Sequence, residues 1–338
     1  MLLPSNTSLG VRSVEWLRDH GGAWLVSDIE GVWYGFNAPA KGGSALKALP
    51  AVGLRTGTAQ ANQRPVYRPP PIAPTIRPAL RGEGVWRPTG SASAGAPPVL
   101  VTTFRPDPSY PRVVAGVAWI DSSHTRLQLY PGRYQPPSGS PRGPMQVPGS
   151  RKRDLVATFN SGFKLQDSGG GFALGGHAYA PLHRNIGTLI GYRDGRVDIQ
   201  YWQGGPQPPP TIAFARQNLP LIVNRGLLNP KLNDGPQWGT TLGNSIRVWR
   251  SGVGVDGRGN LIYAAANNQT AKSLAQILRH AGAVRAIELD INSTWVSFNT
   301  YSHRNGRGAT KLLPGMSRDV TRYLTPDDRD FFAVYRRG

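Results

Sequence analysis

The sequence predicts an α+β domain: a large mixed β-sheet core with few helices, preceded by a small N-terminal segment and a Pro-rich stretch. Three observations carry this. From about residue 99 the chain is dominated by short β-branched runs bounded by turn residues. One strongly amphipathic helix interrupts them, between residues 269 and 283. Nine prolines fall within residues 65–98, including Pro69, Pro70 and Pro71 in succession. The expected organisation is a helix–strand segment over 1–50, a Pro-rich linker or surface-docked segment over 51–98, and a catalytic-type domain over 99–338.

"SLGVRSVEWLRDH" at 8–20 reads as a short helix. Val11, Val14, Leu17 and Arg18 follow helical spacing, Ser8 supplies a capping oxygen, and Gly21-Gly22 stops it. "AWLVSDIEGVWYGF" after it reads as one or two strands. The proline-rich stretch is too rich in fixed φ angles for a core element and is expected to run extended, with Val85 and Trp86 of "GEGVWRP" docking on the main domain. Beyond it, "PVLVTTFRP", "VVAGVAWID", "TRLQLYPG", "LVATFNSGF", "NIGTLIGYRDGRVDIQYW", "SGVGVDGRGNLIYAAA" and "VRAIELDI" are strands, with hairpin turns at "GYRDGRV" and "GVDGRGNL". In "QTAKSLAQILRHAGA", Thr270 is the N-cap, Leu274, Ile277, Leu278 and Ala281 form the buried stripe, and Gly282 ends the helix.

Composition narrows the function classes. The 338 residues carry 39 Lys+Arg against 19 Asp+Glu, a net charge of +20, and no cysteine. Thiol nucleophiles, disulfides and zinc–thiolate sites are therefore excluded. Such a charge attracts polyanions, whether nucleic acid, phosphate-rich cell-wall polymers or acidic lipid headgroups, and an arginine-over-lysine excess of this kind equally follows from a GC-rich genome. The basic residues are scattered and form no block or arm, and no nucleic-acid recognition motif is present, which argues against nucleic acid. No apolar run is long enough for a membrane span, and no secretory signal opens the sequence.

The chemistry concentrates in "RAIELDINSTWV", 285–296. Strand alternation sends Ile287, Leu289 and Ile291 to one face and Glu288, Asp290 and Asn292 to the other. Groups two apart on one strand face lie roughly 6–7 Å from each other, near the carboxylate spacing of glycosidases. Two like charges so close also raise one pKa, as a proton donor requires. A strand with one solvated polar face gives the same alternation, but the apolar flanks argue for a central strand lining a cleft. Asn160 and Gly162 in "ATFNSGFKL" combine a hydrogen-bonding amide with a backbone that a ligand can approach, as does an ordinary hairpin turn. "SGGGFALGGHAYAP", which contains His177, is a glycine-rich loop or a flap, without the residues of a nucleotide loop. Arg250 has the fork geometry to clamp a phosphate or a carboxylate. Trp295 has the plate for a sugar ring, and equally the bulk for a core.

Taken in order, "FNSGF", the glycine-rich loop, "RSGVGVDGRG", a helix and "GAVRAIELD" resemble the phosphodiester glycosidase family over about residues 100–300. Asn160, Gly162 and Phe163 match its Asn-Gly-Gly-Phe motif, Arg250 and Gly254 its Arg-containing motif, and Leu289 and Asp290 its Leu-Asp-Gly-Gly-Gly-Ser motif. Ser161 stands where the family has a glycine, and Ile291-Asn292-Ser293 replaces the glycine run. "RQNLP", "FNSGFKL", "IELDINSTW" and the N-terminal segment resemble an actinobacterial branch whose members carry an outward-facing membrane anchor before this segment. The resemblance implies hydrolysis of a sugar 1-phosphodiester in a cell-envelope glycan or glycopolymer, at the C1–O bond. Asp290 would be base or nucleophile and Glu288 the second acid/base. Asn160, Gly162, Asn292, Trp295 and His177 would line the substrate site, with Arg250 on the phosphate. It implies an extracytoplasmic, anchored protein with no required metal or cofactor, although spare carboxylates are compatible with calcium. The changed "DINS" stretch keeps a second expectation open, a non-catalytic envelope protein that binds glycan on the same fold.

Overall fold

The strand-rich region folds into three antiparallel sheets wrapped around a shared apolar core. The computed structural model describes residues 6–20, 40–44, 46–54, 67–90, 97–137, 143–233, 235–239, 247–303 and 306–337. The strands expected within 23–36 lie outside the described residues.

The first sheet has eight strands in the order β1 (Arg87–Pro88), β2 (Val99–Phe104), β3 (Ala115–Ile120), β14 (Leu261–Gln269), β13 (Val248–Val255), β15 (Arg285–Glu288), β11 (Leu221–Asn224) and β12 (Leu227–Leu228). The second runs β7 (His177–Ala180), β6 (Phe172–Leu174), β10 (Ile212–Gln217), β8 (Gly187–Tyr192) and β9 (Val197–Tyr201). The third runs β17 (Ala309–Lys311), β16 (Phe298–Tyr301), β5 (Leu155–Asn160), β18 (Phe331–Arg336) and β4 (Thr125–Tyr130). The α+β class is as expected. The large sheet is antiparallel among the described strands, not mixed, because hairpins such as β13–β14 and β8–β9 dominate the connections.

Val101, Phe159, Phe172, Leu189, Phe214, Val253, Leu289, Phe298 and Phe332 bring all three sheets into one buried cluster. The other face of the eight-stranded sheet is covered by α2 (Ala271–His280), whose Leu274, Ile277 and Leu278 pack on Leu100, Val117, Ile222 and Ile262. Thr270 caps α2 in a reciprocal capping box with Ser273, and Gly282, at φ +100°, takes the left-handed turn just past the C-cap Ala281. The described part of the proline-rich stretch hugs this same side. Ile72 and Trp86 join the second cluster, Trp86 Nε1 donates to the Pro70 carbonyl, and Val85 stays exposed. Buried Glu83 holds Arg105 by paired hydrogen bonds, including 2.8 Å to Nη2. The glycine-rich 168–181 stretch is a β6–β7 hairpin turning at Gly175-Gly176 and paired through β6 to β10, so it is part of the second sheet and not a loop.

The N-terminal helix α1 (Leu9–Asp19) starts where predicted, with the Ser8 hydroxyl accepting from the Val11 amide. It lies across the end of the molecule from which β15 and β5 emerge, and there it walls the site described next.

Candidate functional site

β15 sits between β13 and β11, so the acidic strand is central. Gly252 opposes Glu288 across the β13–β15 ladder, where an added Cβ would lie 2.8 Å from Leu278 and 2.9 Å from the Ile287 carbonyl. That close approach brings α2 onto the sheet directly behind Glu288. The ladder then ends. Leu289 N donates to Ser251 O at 2.8 Å, Ser251 Oγ donates to Asp290 O at 2.7 Å, and Asp290 N donates to Ser161 O at 3.2 Å. The chain turns at Asn292, whose Oδ1 accepts from the Thr294 amide and whose carbonyl accepts from Trp295 and Val296. The expected alternation therefore holds through Asp290 on the apolar side, while Asn292 acts as a turn former.

Both carboxylates are enclosed, and each has its own arginine. Glu288 is 0% exposed and Asp290 4%. Glu288 Oε1 accepts from Arg250 Nη1 at 2.6 Å, and Arg250 also donates to the Gln269 and Trp238 carbonyls. Arg250 Nε and Nη1 are thereby committed to Glu288 and to backbone, rather than to the phosphate they were expected to clamp. Glu288 Oε2 has no partner among the described residues. Burial pushes Glu288 up to about 6, against the opposing pull of Arg250 and with a further push from the Asp290 charge. Burial likewise raises Asp290, and Arg329 opposes it. Asp290 Oδ2 accepts from Arg329 Nη2 at 3.0 Å and Oδ1 from the Asn292 amide at 2.9 Å. A solvated strand face is thus excluded for this pair.

Asn160 ends β5 beside them, and its amide is saturated. Nδ2 donates to Ser161 O at 2.8 Å and Ser251 Oγ at 3.0 Å, while Oδ1 accepts from Tyr263 OH at 2.9 Å and the Ser297 amide at 3.0 Å. An amide has two donor hydrogens and two acceptor lone pairs, so none is left for a sugar hydroxyl. Asn160 positions β5, β13 and β14 around Asp290 and is not itself a ligand. Gly162 has a backbone role as well. Its carbonyl accepts from Arg329 Nη2 at 3.1 Å, and a Cβ there would meet Asn218 Oδ1 at 2.6 Å. Asn218 in turn holds the Phe163 amide and the Glu288 carbonyl.

Trp295 is 3% exposed, with the guanidinium groups of Arg318, Arg322 and Arg329 at 5.2, 4.9 and 5.2 Å from its ring. These cations occupy the ring that was expected to face a sugar; its N–H edge faces Glu15. His177 is exposed at the edge of the second sheet, packed edge-on against Tyr179, and is not part of this assembly.

Four positions near the C-terminus complete the site and were not foreseen. Asp327, Asp328, Arg329 and Asp330 are all buried. Asp327 takes Arg322 at two oxygens, 2.7 and 3.1 Å, and accepts from the Arg329 amide. Burial would raise Asp327, but Arg322, Arg318 and these hydrogen bonds outweigh it and hold the carboxyl below its usual range. Asp330 pairs with Arg216 at 2.7 Å. The signal was present: "DDRD" places three of the 19 acidic residues within four positions.

Arg329 and Trp295 form part of the wall of a cavity of about 990 Å³ that lies between α1 and the body of the protein. Arg133, Tyr134 and Lys164 line the body side, and Arg12, Glu15 and Trp16 the helix side. Asp290 lies directly behind Arg329. Among the described residues, no three His, Asp or Glu side chains converge as metal ligands, and no helix is long and apolar enough to cross a membrane.

No family model matches this chain, and no curated protein matches it. Among solved structures, it is similar to the catalytic domain of zebrafish N-acetylglucosamine-1-phosphodiester alpha-N-acetylglucosaminidase, auto-inhibited by its pro-peptide. That likeness has 16% identity over 74% of this chain and 87% of that one, with a TM-score of 0.45. It is also similar to a hypothetical protein from Synechocystis, at 12% identity over 71% of this chain and 62% of that one, with a TM-score of 0.40.

Proposed function

We propose that the protein is a hydrolase that cleaves a sugar 1-phosphodiester at the glycosidic C1–O bond, in an extracytoplasmic envelope glycan or glycopolymer. The observation that carries the reading is the buried Asp290 carboxylate, held by Arg329, which lines a large cavity with aromatic and cationic walls. A cavity of this size accommodates a sugar and its phosphate. The order of sequence motifs that ends in Leu289 and Asp290 supports the same reaction class.

Asp290 is the reacting group. Arg329 favours its ionised form against the cost of burial, so it is available as a base toward water or as a nucleophile toward C1. The C1–O bond breaks with its electron pair moving to the phosphate oxygen, and water supplies hydroxyl to C1 and a proton to the products. A phosphate monoester is a good leaving group, so strong acid assistance is not needed. Glu288 was expected as the second acid/base. It is completely enclosed, and its role here is positioning: with Arg250 it fixes the strand end that presents Asp290. No metal is assigned to the reaction.

Turnover of a panel of sugar 1-phosphodiesters, including N-acetylglucosamine 1-phosphate diesters, tests the reading with the wild type and Asp290→Asn. Free sugar released by the wild type, with a loss on the order of a thousandfold or more in the variant, is the expected result. Equal rates for both proteins would refute it. A second reading, a non-catalytic glycan binder, is favoured by one feature: both Asp290 oxygens are already hydrogen-bonded within the fold. Glycan binding by both proteins, with no turnover by either, would support that alternative.

A further inference from the structure

Glu15 reaches from α1 into the cavity and is held at both oxygens by the body of the protein. Oε2 accepts from Lys164 Nζ at 2.7 Å, and Oε1 accepts from Trp295 Nε1 at 3.5 Å. The two donors are fixed by buried structure. Lys164 follows Phe163, whose amide is tied to Asn218, and Trp295 is tied to Asn292 and flanked by three guanidinium groups. Arg329 lines the same wall and is 7% exposed. Glu15 itself sits on a helix whose Leu9, Val14 and Trp16 are exposed. Its charge is felt at Asp290, where it adds to the upward push on that carboxyl.

We propose that Lys164 Nζ and Trp295 Nε1, with Arg329 in the same wall, form an oxyanion subsite for a phosphate ester near Asp290, in which the Glu15 carboxylate stands in for the phosphate. A carboxylate offers two oxygens to this set of donors. A phosphate ester offers more acceptor oxygens and more charge, and Arg133 lies in the same wall. The subsite deepens the hydrolase reading. It places cations where negative charge collects on the departing phosphate, the role the sequence assigned to Arg250. For such a ligand to bind, the Glu15 side chain has to leave.

Titration calorimetry with inorganic phosphate at constant ionic strength tests the subsite on the whole chain. Glu15→Ala is expected to bind phosphate on the order of tenfold or more tighter than the wild type, the scale of one charge-assisted contact. Lys164→Met in the Glu15→Ala background should abolish that gain, and Trp295→Phe, which keeps the ring between the arginines, should reduce it. Lys164→Gln replaces the methionine variant if the latter does not fold, as judged by its melting curve. Unchanged affinity in Glu15→Ala would overturn the proposal, and so would a gain that survives loss of Lys164, because the anion would then be bound elsewhere on the cationic surface. The two readings fail separately. Glu15-dependent phosphate binding without turnover of any diester refutes the hydrolase and keeps the subsite, whereas turnover without such binding does the reverse.

Discussion

Replacing Asn160 with alanine separates a positioning role from a ligand role. The side chain is 2% exposed and makes four hydrogen bonds, to Ser161 O, Ser251 Oγ, Tyr263 OH and the Ser297 amide. A typical internal hydrogen bond contributes about 0.5–1.5 kcal/mol net, and a buried donor left without an acceptor costs about 1–3 kcal/mol. Tyr263 OH retains a long alternative at 3.4 Å to Ser297 O, and Ser251 Oγ retains Asp290 O, so the losses concentrate on the Ser297 amide and the Ser161 carbonyl. Burial holds the Tyr263 hydroxyl well above its usual pKa, so it remains a donor throughout the accessible pH range. The expected destabilisation is about 3–5 kcal/mol. That is a large fraction of the roughly 5–15 kcal/mol that holds a typical domain together. Urea unfolding followed by tryptophan fluorescence measures it. A loss below about 1 kcal/mol, with sugar binding or turnover abolished, would show that Asn160 faces the substrate and that its internal bonds are incidental.

Two other perturbations probe the buried charges. Glu288 is pushed up to about 6 from an ordinary 4.5, so the folded state holds its proton more tightly than the unfolded chain does. Its stabilising contribution is then full at low pH and falls as pH rises through the window from about 4.5 to 6, by about 2 kcal/mol in all. Glu288→Gln cannot titrate, so the stability difference between wild type and variant should decline across that window and level off above it; a flat difference from pH 4 to 7 would count against a raised carboxyl. Asp327 has the opposite sign: its lowered pKa gives stability that is present above the unfolded value and is lost as pH falls toward the folded one. Asp327→Asn leaves the buried Arg322 without its counter-charge, and it should cost about 3–5 kcal/mol at pH 7 and shrink at acid pH, read as urea midpoints at both.

Where local pattern decides structure, the sequence was readable. The i, i+3, i+4 stripe of Leu274, Ile277 and Leu278, with Thr270 ahead of it, specifies α2 by itself. Alternation placed Ile287, Leu289 and Ile291 in the interior, because a central strand keeps one face dry. The acidic face was expected to line a cleft, whereas Glu288 and Asp290 are enclosed, each against an arginine. Arg250 looked like a ligand clamp because its type and position fit one; only the register of β13 against β15 shows that it spends itself on Glu288. The glycines of 168–181 suggested a loop, whereas pairing with β10, about 40 residues on, draws them into a sheet. Asn160 meets Ser297, and Glu15 meets Lys164 and Trp295, across separations of well over a hundred residues, and no local period encodes those meetings.

The charge distribution connects these pairings to binding. Eight of the 19 acidic residues, among them Glu83, Glu288, Asp290 and Asp327, are buried, and six basic residues are buried with them. The interior is therefore nearly balanced, and essentially the whole +20 resides on the exposed and undescribed parts of the chain. A field of that sign draws in any polyanion over distances of about one Debye length, roughly 8 Å at physiological salt, and does not discriminate among them. Discrimination has to come from a place where desolvated donors have fixed directions. Arg216, Arg250 and Arg322 are fixed but already neutralised by Asp330, Glu288 and Asp327. Lys164 differs, because its counter-ion comes from α1 rather than from the sheets. Arg105 also has its partner outside the sheets, Glu83 of the proline-rich stretch, but of the two only Lys164 lines the cavity. On the proposed reading, the general field brings a phosphate polymer to the surface, and exchange at Glu15 holds one phosphate of it beside Lys164 and Arg329.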